Sequence, residues 1–407
     1  MTSMISVAEA IRIIREQTKR LPIESIALAD AFQRVLAEDV VADSDLPPFD
    51  RAQMDGYAVR SSDTTSGRAW LRVVGEAAAG RGWHDEMKAG EAVRIMTGAP
   101  VPAGADSVQQ VEVTNEMDGV VEITKPTRPG QFIVARASEI RAGETVLRSG
   151  EEITAARMAA LASFGYALVK VAKRPRVAVL ATGSELVAVN AEPGKDQIRD
   201  SNSYSLGAYA QLAGAEVERL PLAGDDPELL QREIARTAAR VDVLTLSGGV
   251  SMGVYDFTKA ALLALDAEVF FERVSLRPGK PTVFARLGRT LVFGLPGNPV
   301  SVSVTFNLFA RTALRAMQGC KDAAMIEEWA VLSRRAKGAR ERESYLPARL
   351  LSNEDGTLLA EPLKWGGSSD FVAFTQATAL VIVPAGITDM DTGAKVRVVR
   401  LADSLHS

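Results

Sequence analysis

Residues Ser247 to Gly253, SGGVSMG, follow the apolar run Val241 to Leu246 and are followed closely by Asp256. A strand that empties into a loop with three glycines presents successive backbone N–H groups, and such a nest binds anions, phosphates above all. A carboxylate behind the loop repels a bare phosphate but can hold a divalent cation that bridges to it. The pairing predicts a metal-assisted phosphate site, with Ser247, Gly248, Gly249 and Ser251 near the ligand and Asp256 near the metal.

Four other stretches carry residue types that fit beside it. Thr182, Gly183, Ser184 and Glu185 follow the strand-like run Val177 to Ala181; the hydroxyls can cap a helix or touch phosphate, and the bland alternative is a turn with a solvated glutamate. Gly224, Asp225, Asp226 and Pro227 supply two more carboxylates, although structurally they also read as a helix cap with proline at the first helical position. In Leu295 to Ser301, LPGNPVS, Asn298 can cap a helix begun by Pro299, and Pro296 and Pro299 stiffen a wall. Arg277, Pro278, Gly279, Lys280 and Pro281 place two cations on a short rigid loop, either an oxyanion clamp or a solvated turn.

These loops need strand ends to hold them. From Arg176 to about Met317 the texture alternates strand, helix, strand, which predicts a parallel α/β sheet with ligands gathered beyond the C-terminal strand ends. Ser6 to Thr18 has apolar positions at helical spacing after a capping serine, and residues 151 to 165 form a second helix stopped by Gly165. Between Pro47 and about Ile140, short β-like runs separated by glycine and proline predict a mostly antiparallel insert. After Glu327, four β-like runs (WAVLSRRA, SYLPARLL, ALVIVPAG, AKVRVVRL) predict a small β domain. The fold class is therefore multidomain α/β and β, with a central parallel or mixed three-layer domain. The expected boundaries are 1–46 with 141–175 as a helical linker domain, 47–140 as the β insert, 176–325 as the α/β domain and 326–407 as a barrel-like β domain.

Composition excludes several chemistries. A chain of 407 residues with 47 basic and 51 acidic side chains carries a net charge of −4, which argues against nucleic acid as a general partner. No apolar run is long enough to span a membrane, so a cytoplasmic location is the default. Cys320 is the single cysteine, and His84 and His406 are the two histidines. Thiolate metal clusters, zinc sites and Ser-His-Asp triads are thereby disfavoured. The chemistry must rest on carboxylates, oriented amides and a hard metal, for which oxygen ligands favour Mg²⁺ over Zn²⁺.

The insert has two stretches of its own, PPFDRAQMDGYAV (Pro47 to Val59) and RIMTGAPVPAGADSV (Arg94 to Val108), which by fold logic alone are hairpin turns. Together with TGSEL, QIRDSNSY, GDDP, SGGVSMGVYDFTK, RPGKP and FGLPGNPVSV, in that order along the whole chain, they resemble the MoeA family of molybdopterin molybdenumtransferases, whose relatives include the gephyrin E domain. The resemblance implies insertion of molybdate into adenylylated molybdopterin with release of AMP, assisted by Mg²⁺. It implies that Asp225 and Asp256 are metal-associated carboxylates, and that Asp55, Thr97, Glu139 and Glu185 are further catalytic positions. Arg277 and Lys280 would contact the anion, Pro296, Asn298 and Pro299 would shape the opposite wall, and Ser369 would approach from the C-terminal domain. Glu139 stands where the family has aspartate, and Ser184 replaces another common aspartate. A homodimer with a composite site is implied, with Asp55 and Thr97 reaching across, and an adenylyltransferase-type partner fits the same chemistry. Two other readings share some of these motifs: molybdopterin adenylyltransferase itself, whose domain resembles residues 176 to 320, and a scaffold that binds a receptor peptide.

Overall fold

The computed structural model describes residues 4–224, 226–248 and 257–401. Asp225, Asp256, Gly249 and Ser251 lie outside the described residues. The chain divides into two compact units, one of Met1–Ala37, Ser149–Ile153 and Val169–Ser407, the other of Glu38–Arg148 and Thr154–Leu168. Helix α1 (Val7–Gln17) starts the first unit, where Ser6 Oγ accepts the Glu9 N–H at 3.1 Å, a cap worth about 1 kcal/mol. Its buried face is Val7, Ala10 and Ile14, in a core shared with Leu314 and Met317.

The second unit is built on a six-stranded sheet of β1 (Gly56–Val59), β2 (Ala69–Ala77), β3 (Glu91–Ile95), β4 (Ser107–Gln110), β5 (Thr114–Met117) and β6 (Val120–Ile123), in the order β4-β1-β3-β2-β6-β5. The pairings are antiparallel except β2 with β3. The crossover this parallel pair requires is the segment 78–90, which lays Trp83 on Gly75; a Cβ there would sit 2.3 Å from the indole nitrogen. Helix α2 (Ala155–Ser163) begins at Thr154, and Gly165 at φ +74° follows the capping Phe164. Gly165 therefore stands one position beyond the expected cap, and the Tyr166 N–H closes the end on the Leu161 carbonyl at 3.0 Å.

The first unit contains β7 (Arg176–Ala181), α3 (Asn202–Leu212), β8 (Glu216–Arg219), α4 (Pro227–Ala238), β9 (Val243–Ser247), α5 (Phe257–Ala264), β10 (Glu268–Arg273), β11 (Pro281–Leu287) and β12 (Thr290–Leu295). The sheet order is β8-β7-β9-β12-β11-β10, in which the first four strands are parallel and β11 runs antiparallel to both of its neighbours. Alternate residues of β7 serve the two faces: Val177 and Val179 pack with Leu206 of α3 and Phe293, whereas Ala178 and Leu180 pack with Leu230 and Ile234 of α4. Burial on both faces explains why β9 and β12 are buried at every residue.

The closing helix is α6 (Pro299–Thr305), a π turn over Phe306–Ala310, and α7 (Arg311–Met317). Within the turn Asn307 aims its side-chain amide at the Ser303 carbonyl, 2.9 Å away. The chain then forms β13 (Glu327–Leu332), β14 (Glu343–Ser352), β15 (Leu358–Pro362), β16 (Ala379–Val383) and β17 (Lys395–Arg400), ordered β14-β15-β13-β17-β16 and closed into a five-stranded barrel by β14 with β16. β15 is absent from the sequence reading; the turn Asp355-Gly356 before it was its signal. A short strand, Leu276–Arg277, pairs in parallel with Glu343 and Ser344 at the start of β14.

Candidate active site

Three loops leaving the C-terminal ends of β7, β9 and β12 are tied directly to one another. The Thr182 N–H donates to the Ser247 carbonyl at 2.9 Å, and the Gly248 N–H donates to the Leu295 carbonyl at 3.2 Å. Gly248 has φ +95°, and a Cβ there would lie 2.3 Å from the Thr182 carbonyl oxygen. Glycine is thus required twice, by backbone conformation and by space. A Cβ on Gly297 would touch the Gly248 Cα at 3.7 Å, which brings the third loop into van der Waals range.

Asn202, at the start of α3, joins two of these loops through one amide. Its Nδ2 donates to the Ser247 Oγ at 2.8 Å and to the Gly297 carbonyl at 2.7 Å. Its Oδ1 is buried and meets no donor among the described residues. Asn202 was not among the candidate residues, although it lies in the QIRDSNSY stretch; an asparagine opening a helix reads from sequence as a cap. The capping is done instead by Asp200, which accepts from the Ser203 N–H at 3.0 Å and from its hydroxyl.

The other predicted residues of this unit fall around that edge in different ways. The Glu185 carboxylate is exposed and folds over Gly183, where a Cβ would be 2.5 Å from Oε2. Pro296 is buried and Pro299 takes the first position of α6. Asn298 occupies the N-cap position but does not cap: its amide donates to Ser368 Oγ at 2.8 Å, and the Ser368 carbonyl accepts the Val300 N–H at 3.0 Å. A serine from the segment between β15 and β16 has replaced the expected local cap, and the neighbouring Ser369 is exposed.

Of the GDDP carboxylates, Asp226 is the helix cap, with Oδ1 2.9 Å from the Glu228 nitrogen and 3.1 Å from that of Leu229. Arg277 and Lys280 are not joined to the glycine loops by any bond among the described residues. The Arg277 guanidinium instead donates to the Gly338 carbonyl at 3.0 Å. Gly279, at φ +115°, packs against α6, so close that a Cβ would be 2.4 Å from Thr305 Cγ2.

In the second unit, Asp55 and Thr97 are brought together. Asp55 Oδ1 accepts both the Thr97 N–H and the Thr97 hydroxyl, each at 2.7 Å. Gly56 makes this possible: a Cβ there would be 1.9 Å from the Gln109 carbonyl oxygen, so only glycine lets β1 lie flush on β4. The Thr97 N–H and then its hydroxyl hold the Asp55 carboxyl below the usual carboxylate range, so it stays ionised although no cation among the described residues pairs with it. Tyr57, next in the chain, donates to Glu116, and burial first, with that carboxylate second, pushes its phenol up to about 12. It serves as a donor, never as a base at neutral pH. Glu139 is exposed and lies 3.2 Å from Arg51, away from any contact with Asp55 or Thr97.

The described groups at the glycine edge are hydroxyl, amide and carboxylate oxygens, a donor set that suits a hard cation. Among the described residues no three His, Cys, Asp or Glu side chains cluster to hold a metal by themselves. Cys320 lies buried among Arg311, Arg315 and Glu152, where burial raises its thiol and keeps it protonated.

Residues 5–165 match the model of the MoeA N-terminal region (domain I and II), residues 178–316 that of a probable molybdopterin binding domain, and residues 330–401 that of the MoeA C-terminal region (domain IV). A molybdopterin molybdenumtransferase of Staphylococcus aureus (strain COL) is 34% identical over 399 residues, covering 97% of this chain and 95% of the relative. One of Bacillus subtilis (strain 168) is also 34% identical, over 98% of this chain and 94% of its own. Among solved structures, the molybdopterin biosynthesis moea protein of Pyrococcus horikoshii superimposes with a TM-score of 0.79 at 31% identity, covering 98% of this chain and 99% of that one. A molybdopterin biosynthesis moeA protein from Pyrococcus horikoshii OT3 gives 0.84 at 26% identity, with 98% and 100% covered.

Proposed function

This chain belongs to the MoeA family, and from that premise we propose that it transfers molybdenum from molybdate to adenylylated molybdopterin, releasing AMP. The observation that carries this reading is the Asn202 amide holding Ser247 and Gly297 together beside Gly248. That bond sets the separation of two strand-end loops at the place where open α/β sheets bind ligands. Because Ser247 Oγ accepts from Asn202, its own proton is free to be donated to a phosphate or pterin oxygen. Asn202 Oδ1 supplies a buried acceptor suited to an N–H or N–H₂ group.

Asp225 and Asp256 are the residues that would hold Mg²⁺. Bound there, the ion supplies positive charge at the phosphate link that breaks. The protein's own contribution is then to orient the nucleotide, keep the loops from yielding, and place N–H and O–H donors around the transferred oxyanion. Glu185 faces this edge from the first loop, and Ser369 stands beside the Ser368 that fixes Asn298. Arg277 and Lys280 serve as the distal anion contacts.

The working form is a homodimer in the cytoplasm. One subunit's insert offers the Asp55–Thr97 pair to the other subunit's glycine loops, and Glu139 serves as a further position of the insert. Support comes from the pair itself: an exposed, ionised carboxylate fixed by two hydrogen bonds within its own unit is ready to act on something outside that unit. No helix among the described residues is long and apolar enough to cross a membrane.

Product analysis tests the assignment. Incubation of the purified protein with adenylylated molybdopterin, molybdate and Mg²⁺ is expected to release AMP in proportion to molybdate. Consumption of ATP with pyrophosphate release would make the protein an adenylyltransferase, and unchanged molybdoenzyme activity in cells carrying Asp256→Ala would point to the scaffold role.

A further inference from the structure

The opposite edge of the same sheet bears a cavity of about 1330 Å³, formed entirely by the first unit where β7, β9 and β12 begin. Seven Lys or Arg side chains and three carboxylates line it. In a chain of net charge −4, that concentration is not a sample of the average surface. Two of the three carboxylates are already engaged: Asp242 by Arg176 at 3.4 Å, and Glu24 by the buried Arg34. Arg286 is held by Glu268 and Gln17. Among the described residues, Lys19, Arg20, Lys173 and Arg289 have no carboxylate partner, and Arg174 has only the Gly214 carbonyl at 3.3 Å. The sole acid left to oppose them is Glu216.

The shape of this basic surface argues for one kind of ligand. A cavity of 1330 Å³ exceeds the roughly 300–1,000 Å³ of small-molecule clefts. The cations come from separate segments, after α1, before β7 and in the β11–β12 hairpin, so they surround an area rather than converge on a point. Between them lies an aliphatic floor that includes Leu21, Ala235, Val241, Leu287 and Met317. The helix ends that reach the cavity are C-terminal ones, at Gln17 of α1, Ala238 of α4 and Met317 of α7. C-terminal carbonyls carry partial negative charge, so no helix dipole assists an anion here and only the cationic side chains attract one.

We propose that this cavity docks an acidic, partly apolar segment of a partner protein, carboxylates on the cationic rim and aliphatic side chains on the floor. The five residues of β9 separate this edge from the glycine loops by roughly 17 Å. A docked partner therefore leaves the glycine loops open to small molecules.

The test is fluorescence anisotropy of the full-length protein with a fluorescein-labelled acidic peptide of interspersed glutamates and leucines. Saturable binding is expected, weakening as salt rises through the range where the screening length falls to about 10 Å. The triple change Lys19→Glu, Lys173→Glu, Arg289→Glu is expected to weaken binding by about tenfold or more while keeping the unfolding midpoint. Should charge reversal disturb folding, the neutral set Lys19→Gln, Lys173→Gln, Arg289→Gln must show the loss in the same direction. Absence of saturation at low salt, equal affinity in the variant, or displacement of the peptide by tripolyphosphate at lower concentration than by unlabelled peptide would each overturn the proposal.

Discussion

At one edge of the α/β sheet three loops are locked by neutral hydrogen bonds and a glycine that admits no Cβ; at the other, long cationic side chains surround an aliphatic floor with few partners. Both edges suit anions, but by different physics. The first fixes atoms to within a hydrogen-bond length, and salt scarcely touches such bonds because they involve no net charge. The second offers charge without fixed geometry, so its strength is set by ionic strength. The lesson is that one sheet can present a geometrically fixed edge and a diffusely charged edge at once, and that mutation should separate them. The Asp55–Thr97 pair sides with the first kind, since hydrogen bonds rather than cations hold the carboxylate.

The largest effect is expected at Gly248. Gly248→Val combines a left-handed backbone with a Cβ 2.3 Å from a carbonyl oxygen, at a cost of about 3 kcal/mol, seen in the urea midpoint, and AMP release should fall below detection. Gly288, on the cavity wall, is its control: it too has positive φ, at +61°, but a Cβ there meets nothing within 4 Å. Gly288→Ala should cost only about 1 kcal/mol and leave turnover intact. Equal losses at both positions would erase the distinction between the edges.

Asn202→Ala comes next. It strips the donor from the Gly297 carbonyl and the Ser247 hydroxyl, at about 1–3 kcal/mol for partners left unsatisfied, and steady-state kinetics should show kcat falling more than KM rises. Asn202→Asp keeps the volume but cannot donate, so it should not rescue.

A subtler shift is expected in the insert. Asp55 has a lowered pKa, so its hydrogen bonds contribute stability above the usual carboxylate range and lose it as pH falls through the depressed value. Thr97→Val deletes the hydroxyl bond and keeps the stronger backbone one, moving the Asp55 pKa upward but not fully to normal. Carbon-detected NMR titration should show the acid loss beginning at higher pH; an unmoved Asp55 would mean the hydroxyl is idle. The smallest effect belongs to Lys173→Gln, whose exposed side chain has no carboxylate partner, with stability expected within about 0.5 kcal/mol by thermal melting.

Much of the glycine-loop edge was legible because its signals are local. Glycine after an apolar run marks a strand end, and proline after Asp226 or Asn298 marks a helix start. What escaped depends on long-range partners. Asn202 looks like a cap until Ser247 and Gly297 arrive beside it, and Asn298 stops being a cap because the Ser368 carbonyl takes the Val300 N–H. The parallel pairing of β2 with β3 depends on the crossover 78–90, and the short β-like runs on either side of it do not reveal which way they pair. The basic cavity was invisible for a related reason, since its cations are spread between Lys19 and Arg289 and no window of sequence contains them.

The packing of α1 against the closing helix bears on how the chain is made. The Leu21 N–H bonds the Met317 carbonyl at 2.8 Å, and Ile14 shares its core with Leu314. During synthesis at about 5–20 residues per second, the amphipathic face of α1 waits on the order of 15 to 60 s for its partner to leave the ribosome. The second unit, whose sheet is complete by Ile123, can close well before then. Its early folding brings the flanking segments of the first unit near each other and shortens the loop that α1 must close, lowering the entropy cost of the last step. The insert is thus a folding aid for the domain it interrupts.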